Sequence, residues 1–284
     1  MNRLMVIVLL LLPGVGFLVL FFGLPLMLAL MSSLGIGTLG GSEGFTLQHY
    51  ESLFTHRAYR DGLIFSIYIS VAPTLVSLVI AVPLAVALQE TFPGKSLFQA
   101  LYKIPLVVPS IVAAFIVMIL FDRGGEISRL LLPFHMELPK LVRDPWALGV
   151  IIAMAWKSIP FMTLIIGGSV AAISPDLKHA VRTLGGTRLT VFRRIELPLA
   201  LPGITAATLL VFVGSTGAFA VPSLLGPIYP KPLSIWMYES AFGKNDWATA
   251  SAMGVVLSIV ACLVLVAYYR ITSGMRTGIS GETR

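Results

Sequence analysis

Charge is scarce in this sequence, since only 12% of its 284 residues are charged while 57% are hydrophobic. A soluble domain usually contains about 25% charged residues, so the composition excludes a water-soluble protein. The charges are also unevenly spread, and six long stretches contain no Asp, Glu, Lys or Arg: 4–42, 62–89, 104–121, 158–175, 197–230 and 247–269. Stretches of this length and composition are typical of helices that cross a membrane.

Residues that carry chemistry are also few. The single cysteine, Cys262, lies in an apolar run, and its isolation excludes an intrachain disulfide. Gly94-Lys95-Ser96 resembles the end of a phosphate-binding loop, but Gln89 stands where that motif needs a glycine. The four histidines are scattered over three loops without any metal-ligand spacing: His49, His56, His135 and His179. We therefore expect no enzyme activity, no bound metal and no cofactor on this chain.

The expected fold is an all-α membrane protein with six transmembrane helices in a single domain over residues 1–284. Each span needs about 20 apolar residues, and the predicted spans are 5–31, 63–88, 100–121, 147–171, 200–222 and 248–269. Six spans place both termini on one side of the membrane. Cytoplasmic termini leave eleven Lys and Arg inside and eight outside, as the positive-inside rule favours. We interpret the net charge of +7 as membrane topology rather than as nucleic-acid binding.

Prolines interrupt the first three predicted spans. They are Pro13 and Pro25, then Pro73 and Pro83, then Pro105 and Pro109. Because proline removes a backbone donor and clashes with the preceding turn, each pair predicts a kink or a break. Membrane helices tolerate such breaks where they pack on one another or line a cavity.

The loop between the fourth and fifth predicted spans, residues 174–198, has the clearest local pattern. Ser-Pro-Asp at 174–176 supplies a side-chain cap, a preset first φ angle and a carboxylate near the positive helix end, so a helix begins there. Leu177, Val181 and Leu184 form one apolar stripe on this helix. Lys178 and Arg182 lie on a neighbouring face, and Gly185 or Gly186 ends the helix.

A second short helix is predicted after the first. Thr187 can cap this helix, which continues through Arg194, and Leu197-Pro198 then turns the chain into the fifth span. A short amphipathic helix between two spans can dock into a groove on another protein. It can equally lie on the membrane surface, where its arginines meet anionic lipid. The pattern by itself leaves both interpretations open.

This loop resembles that of the inner-membrane permeases of binding-protein-dependent ABC importers. The family loop has Glu-Ala-Ala, three residues, Gly, nine residues and then Ile-x-Leu-Pro. Five of the seven positions match here at the same spacing, and the seven are His179, Ala180, Val181, Gly185, Ile195, Leu197 and Pro198. The run Trp156-Lys157-Ser158-Ile159-Pro160-Phe161 and the six-span layout extend the resemblance over nearly the whole chain. The chain looks most like the branch that imports polyamines such as spermidine and putrescine; ferric iron, thiamine and organophosphonate importers are close to it.

The resemblance implies that the chain is the permease subunit of a bacterial inner-membrane importer. Its implied partners are two ATP-binding ATPase subunits, a second and different permease chain, and a periplasmic or extracellular solute-binding protein. ATP and magnesium would be bound by the ATPases, and this chain would form the solute path. The implied ATPase-coupling residues are Leu177, His179, Ala180, Val181, Leu184, Gly185, Ile195, Leu197 and Pro198. His179 and Val181 depart from the family pattern, and His179 replaces an acidic residue.

Polar residues inside the spans are candidates for a solute path. Lys157 lies about ten residues into the fourth span, where an exposed charge would cost about 2.5–3.5 kcal/mol in lipid. It either contributes to the solute path or has a structural role, in which it snorkels towards the membrane surface or bonds a freed carbonyl near Pro160. Thr208, Ser215 and Thr216 of the fifth span add hydroxyls to the candidate path. The alternative functions are a stand-alone secondary transporter, which would need carboxylates inside its spans, and a channel.

Overall fold

The computed structural model describes residues 3–37, 44–136 and 139–280. Within these ranges every regular element is a helix and no strand occurs. The α-helices are α1 (Arg3–Leu18), α2 (Leu24–Ser33), α3 (Gln48–Thr55), α4 (Arg57–Ala87), α5 (Lys95–Leu101), α6 (Ile104–Val107), α7 (Ser110–Phe121), α8 (Glu126–Leu131), α9 (Leu148–Ala171), α10 (Pro175–Thr183), α11 (Arg188–Val191), α12 (Leu197–Thr216), α13 (Ala220–Leu225), α14 (Leu233–Tyr238) and α15 (Trp247–Ser280). The predicted all-α class is confirmed.

Within the described ranges, five helical segments are long and apolar enough to cross a membrane. They are Leu10–Ser33, Arg57–Ala87, Leu148–Ala171, Arg188–Thr216 and Trp247–Arg270. A sixth span is formed if the bent pair Lys95–Val107 and Ser110–Phe134 crosses the membrane as one unit. With the bent pair counted as the third span, Leu148–Ala171 is the fourth span and Arg188–Thr216 is the fifth. The helix α10 lies between these two, as the sequence predicts.

The third predicted span, 100–121, is broken, as its proline pair predicts. The chain bends by 106° between its two halves. Val108, between them, has an extended backbone with φ −71° and ψ 123°. Its conformation follows from Pro109, because a residue before proline is driven out of the helical region. The break therefore occurs at one of the prolines that the sequence analysis marks.

Two other proline positions are accommodated by π-helical turns. The turn Val19–Gly23 precedes Leu24-Pro25, and the turn Phe192–Glu196 precedes Leu197-Pro198. In each turn the leucine N–H donates to a carbonyl five residues earlier. The wider turn fits beside a proline because proline has no N–H to continue the α-helical ladder. The helix consequently continues through the proline instead of ending there.

The chain divides into two compact units. The first comprises Met1–Leu63 and Leu233–Ile259, and the second comprises Ile64–Pro232 and Val260–Arg284. In the first unit, side chains of α3, α14 and α15 form the core: Leu53, Leu233, Ala252, Met253, Val256 and Leu257. The single permease domain predicted over 1–284 stays a prediction.

The second unit has two clusters of buried side chains. One cluster gathers α4, α7, α9 and α13, with Ile69, Val117, Val150 and Leu225 among its members. The other joins α4, α9 and α12 through residues that include Met162, Ile166, Ala200, Ile204 and Val211. The helices α4 and α9 contribute to both clusters, and α12 packs on α9, so these helices form the framework of this unit.

A close crossing of α9 and α12 depends on Gly203. A Cβ atom added at Gly203 would lie 2.6 Å from Cβ of Ser169 and 3.3 Å from the Ile165 carbonyl oxygen. Neither atom can move without a shift of the α9 backbone. The crossing distance is consequently set by the absence of a side chain at this position.

We expect Gly203→Ala to separate α9 from α12 and to lower the free energy of unfolding by about 1–3 kcal/mol. Thermal unfolding of the protein in detergent measures the change. Gly168→Ala is the matched control, because a Cβ atom at Gly168 meets nothing within 4 Å. Equal melting temperatures for the two variants would contradict the assigned role of Gly203.

Candidate functional site

The helix α10 begins and ends where the sequence predicts. The Ser174 hydroxyl accepts a hydrogen bond from the Asp176 N–H at 3.3 Å. Gly185 has φ +81°, a left-handed conformation that side chains other than glycine rarely adopt. The Gly185 N–H donates to the Arg182 carbonyl at 3.0 Å, and the Gly186 N–H donates to the Val181 carbonyl at 2.9 Å. This pair of bonds is a Schellman motif, so Gly185 is the residue that ends the helix.

The second predicted helix exists but does not end at Arg194. The Thr187 hydroxyl caps α11 by accepting from the Thr190 N–H at 3.3 Å. The chain then passes through the π-helical turn Phe192–Glu196 directly into α12. The prediction that Leu197-Pro198 turns the chain is therefore wrong, because Arg188–Thr216 is one continuous helical segment. Leu197 packs against the core formed by α4, α9 and α12.

An ion pair fixes α10 to the base of α12. The Lys178 Nζ atom lies 2.8 Å from the Glu196 Oε1 atom, and the two side chains are 20% and 9% exposed. Because water reaches this pair so little, it screens the attraction between the two charges less than it does at the surface. Loss of one partner would leave the other charge buried without compensation. Lys178 and Glu196 therefore hold the helix against the fifth span.

Glu90, just after α4, links the same loop to the second span. Its carboxylate pairs with Arg188 and lies 3.9 Å from the Arg182 guanidinium. Gln89 strengthens this junction, because its side-chain amide donates to the Gly167 carbonyl of α9 at 3.2 Å. The ends of α4, α9 and α12 and the helix α10 are thus connected by polar contacts.

No pattern in the sequence predicts Glu90 or Glu196 as part of this site. Glu196 occupies the x position of the Ile-x-Leu-Pro motif. Its place inside this motif is the one sequence feature that could have marked it as part of the site. Glu90 lies 98 residues before Arg188 in the chain, and no local pattern connects them.

The predicted coupling residues present an apolar surface on α10. Leu177 is 46% exposed and Leu184 is 87% exposed, while Val181 between them is half-buried. His179 and Ala180 are exposed, and Gly185 follows at the end of the helix. Ile195 and Pro198 are half-buried in the segment that leads into α12. The ion pairs occupy the charged face of α10, so the leucines are left available for another molecule.

A cavity of about 470 Å³ lies in the second unit, between α7, α9, α12 and α13. Lys157 and Ser215 line this cavity, as do Ser110, Ser158 and Phe161. Thr208 and Thr216 are not among its lining residues. Their hydroxyls donate to carbonyls of their own helix, Ile204 at 2.7 Å and Phe212 at 2.9 Å. The structure therefore brings two of the four predicted path residues together.

Lys157 bonds the broken third span. Its Nζ atom donates to the Val108 carbonyl oxygen at 2.5 Å. The carbonyl lies at the break before Pro109, where the helical ladder is interrupted. The expected bond to a freed carbonyl is present, but its partner is at Pro109 rather than near Pro160. Among the described residues that line the cavity, Lys157 is the only charged one.

Comparison with known proteins gives one family and several relatives. The profile of the family described as "Binding-protein-dependent transport system inner membrane component" matches residues 77–274. The spermidine/putrescine transport system permease protein PotB of Escherichia coli is 29% identical over 266 residues, which cover 90% of this chain and 94% of PotB. The molybdenum transport system permease protein ModB of Mycobacterium tuberculosis is 27% identical over 240 residues, covering 82% and 85%.

A sulfate permease matches over a shorter region. The sulfate transport system permease protein CysT of Salmonella typhimurium is 32% identical over 176 residues, which cover 61% of this chain and 62% of CysT. The match therefore spans less than two-thirds of the length of CysT.

Two solved structures share the fold. A bacterial ABC transporter involved in the import of the acidic polysaccharide alginate has a TM-score of 0.82 at 18% identity, with 96% of each chain covered. The MetNI methionine ABC transporter has a TM-score of 0.61 at 20% identity, with 77% of this chain and 96% of that chain covered.

We expect Glu196→Gln to destabilise the junction between α10 and α12 by about 3 kcal/mol, because Lys178 would keep its charge without a partner. Glu90→Gln is the matched comparison, and we expect it to cost at most about 1 kcal/mol since its partners are exposed. Hydrogen exchange of the α10 amides measures both effects. Equal protection of α10 in the two variants would exclude the proposed difference between the pairs.

Proposed function

Since the chain belongs to the family of binding-protein-dependent transport system inner membrane components and is a permease subunit of an ABC importer, we propose that α10 couples solute passage to ATP hydrolysis on a separate ATPase subunit. The observation that carries this proposal is the exposed leucine stripe on a helix whose charged face is fixed to the spans. An amphipathic helix with an open apolar face suits a groove on a partner protein. The family assignment favours this groove over the membrane-surface interpretation and favours an importer over a stand-alone carrier.

The contacts of α10 provide a route for mechanical coupling. ATP-driven closure of the ATPases would move α10 as a rigid body. The Lys178–Glu196 pair would transmit this movement to α12, and the short connection Ala172–Ser174 would transmit it to α9. Glu90 adds the end of α4 through its arginine partners. Because α11 continues into α12 without a flexible loop, displacement of the loop becomes displacement of the fifth span.

The proposed assembly follows the arrangement that the family resemblance implies. Two ATPase subunits bind ATP and magnesium on the cytoplasmic side, next to α10 and both chain termini. A second permease chain and a periplasmic solute-binding protein complete the importer. The alginate transporter has also been solved in complex with an alginate pentasaccharide-bound periplasmic protein, which supports this arrangement.

The relatives support a small charged solute but differ in the sign of its charge. PotB, which is matched over nearly its whole length, belongs to a spermidine/putrescine transport system, as the sequence resemblance favours. CysT belongs to a sulfate transport system at comparable identity, and ModB to a molybdenum transport system. A polycation and an oxyanion need opposite charges along a path. The charge of the path residues is therefore the property that separates these solutes.

We expect Leu184→Asp to abolish association with the ATPase, because a carboxylate would replace the most exposed leucine of the stripe in an apolar groove. Co-purification of the ATPase with the permease, expressed together with the other subunits, measures association. Leu130→Asp is the control, since Leu130 is also exposed, at 69%, but lies on α8. Undiminished recovery of the ATPase with Leu184→Asp would refute the proposal.

His179 stands where the family has an acidic residue, and we propose that it packs at the ATPase groove and forms a hydrogen bond there. We expect His179→Ala to reduce the coupling of ATP hydrolysis to transport several-fold while the permease still folds. The ratio of transported solute to hydrolysed ATP in proteoliposomes measures coupling. Thr183→Ala, on the same helix, serves as the control. An unchanged ratio in His179→Ala would remove His179 from the coupling surface.

A further inference from the structure

The cavity between α7, α9, α12 and α13 combines a cation with hydroxyl groups and has no acidic residue among its described lining residues. The cation is the Lys157 ammonium group, which has three N–H donors. The Val108 carbonyl accepts one of these donors. Two donors are left for another acceptor inside the cavity.

The cavity serines differ from most hydroxyls of the spans. Eight of those other hydroxyls donate to a carbonyl four residues earlier in their own helix: Ser70, Thr74, Ser77, Thr163, Thr205, Thr208, Thr216 and Ser258. In the part of the chain that the structure describes, the side chains of Ser110, Ser158 and Ser215 make no such bond. Ser215 is only 5% exposed, so its hydroxyl is available to the cavity rather than to the surrounding medium.

The walls of the cavity are otherwise apolar. They include Met154, Phe161, Leu210 and Phe219. Binding sites for small molecules have this composition, with apolar walls and a few polar groups that fix the ligand. Their volumes are about 300–1,000 Å³, a range that includes this cavity. The site thus has the size and chemistry for one small solute with charge-assisted hydrogen bonds.

We propose that this cavity binds a small anion, such as an oxyanion, through Lys157, Ser158 and Ser215, and that the transported solute is anionic. This inference rests on the proposed function, because the cavity is taken as part of the solute path. An oxyanion accepts hydrogen bonds from both an ammonium and a hydroxyl. A polycation would instead meet a like charge, which repels it strongly in a cavity of low effective dielectric constant.

The electrostatic preference of the cavity can be measured without knowing the natural solute. In a Cys262→Ser background, Ser215→Cys places one thiol in the cavity. Two methanethiosulfonate reagents of similar size carry opposite charges, a sulfonate and a trimethylammonium group. Their rates of modification are measured on the intact importer in proteoliposomes and are normalised to the rates with free cysteine. The ratio of the two normalised rates cancels effects on thiol reactivity.

We expect the sulfonate reagent to be favoured at least about tenfold, equivalent to about 1.4 kcal/mol of electrostatic preference. Adding Lys157→Met to the thiol protein should reduce the ratio to about one, whereas Lys157→Arg should retain it. Lys140→Met, which removes an exposed charge outside the cavity, should leave the ratio unchanged. A ratio that Lys157→Met does not alter, or one that favours the cationic reagent, would overturn the inference.

Protection experiments identify the ligand class. Here the thiol is placed by Ser110→Cys in the Cys262→Ser background, so that Lys157, Ser158 and Ser215 are all intact. Excess sulfate should slow modification of this thiol, and spermidine should not. Protection by spermidine, or by neither compound, would overturn the proposal. The coupling proposal can fail independently of this one. In that case the ATPase would still co-purify with Leu184→Asp, while the cavity kept its preference for the sulfonate reagent.

Discussion

In the hydrocarbon of a membrane every backbone N–H and C=O needs a partner from the protein, and this requirement organises the structure. Long helices satisfy it within a single segment. Where prolines remove a donor, the chain uses two solutions. The π-helical turns before Pro25 and Pro198 keep the helix continuous, whereas the break before Pro109 exposes a carbonyl that the Lys157 ammonium bonds. Proline placement thus decides which spans are stiff and which is bent.

Continuity at Pro198 has a mechanical consequence. The helix α10 is followed, after the turn 184–187, by a segment that is helical without interruption from Arg188 to Thr216. Its charged face is fixed by Glu196 and Glu90, so its leucines remain the surface offered to a partner. A helix held in this way would transmit force, because the ion pairs and the π-helical turn leave little freedom between the proposed docking surface and the span.

The break at Pro109 has a chemical consequence. It creates the carbonyl that holds Lys157 inside the second unit, next to serines whose hydroxyls are open to a cavity. The positive charge of that cavity would suit an anion better than a polycation, so the proposed anionic solute departs from the polyamine branch that the sequence resemblance favours. A resemblance over the whole chain reports the shared architecture, whereas the charge of one side chain in the proposed path would bear directly on the charge of the solute.

The sequence alone determined the features that depend on neighbouring residues. Hydrophobic run length predicted the all-α membrane class, and the Ser174 cap and Gly185 predicted the limits of α10. The tertiary structure alone decided the partners of distant residues: Glu90 with Arg188, Lys178 with Glu196, and Lys157 with Val108. It also separated Ser215, which lines the cavity, from Thr208 and Thr216, which bond their own helix. The physical reason is that helix formation and capping are local, whereas an ion pair depends on the packing of segments far apart in the chain.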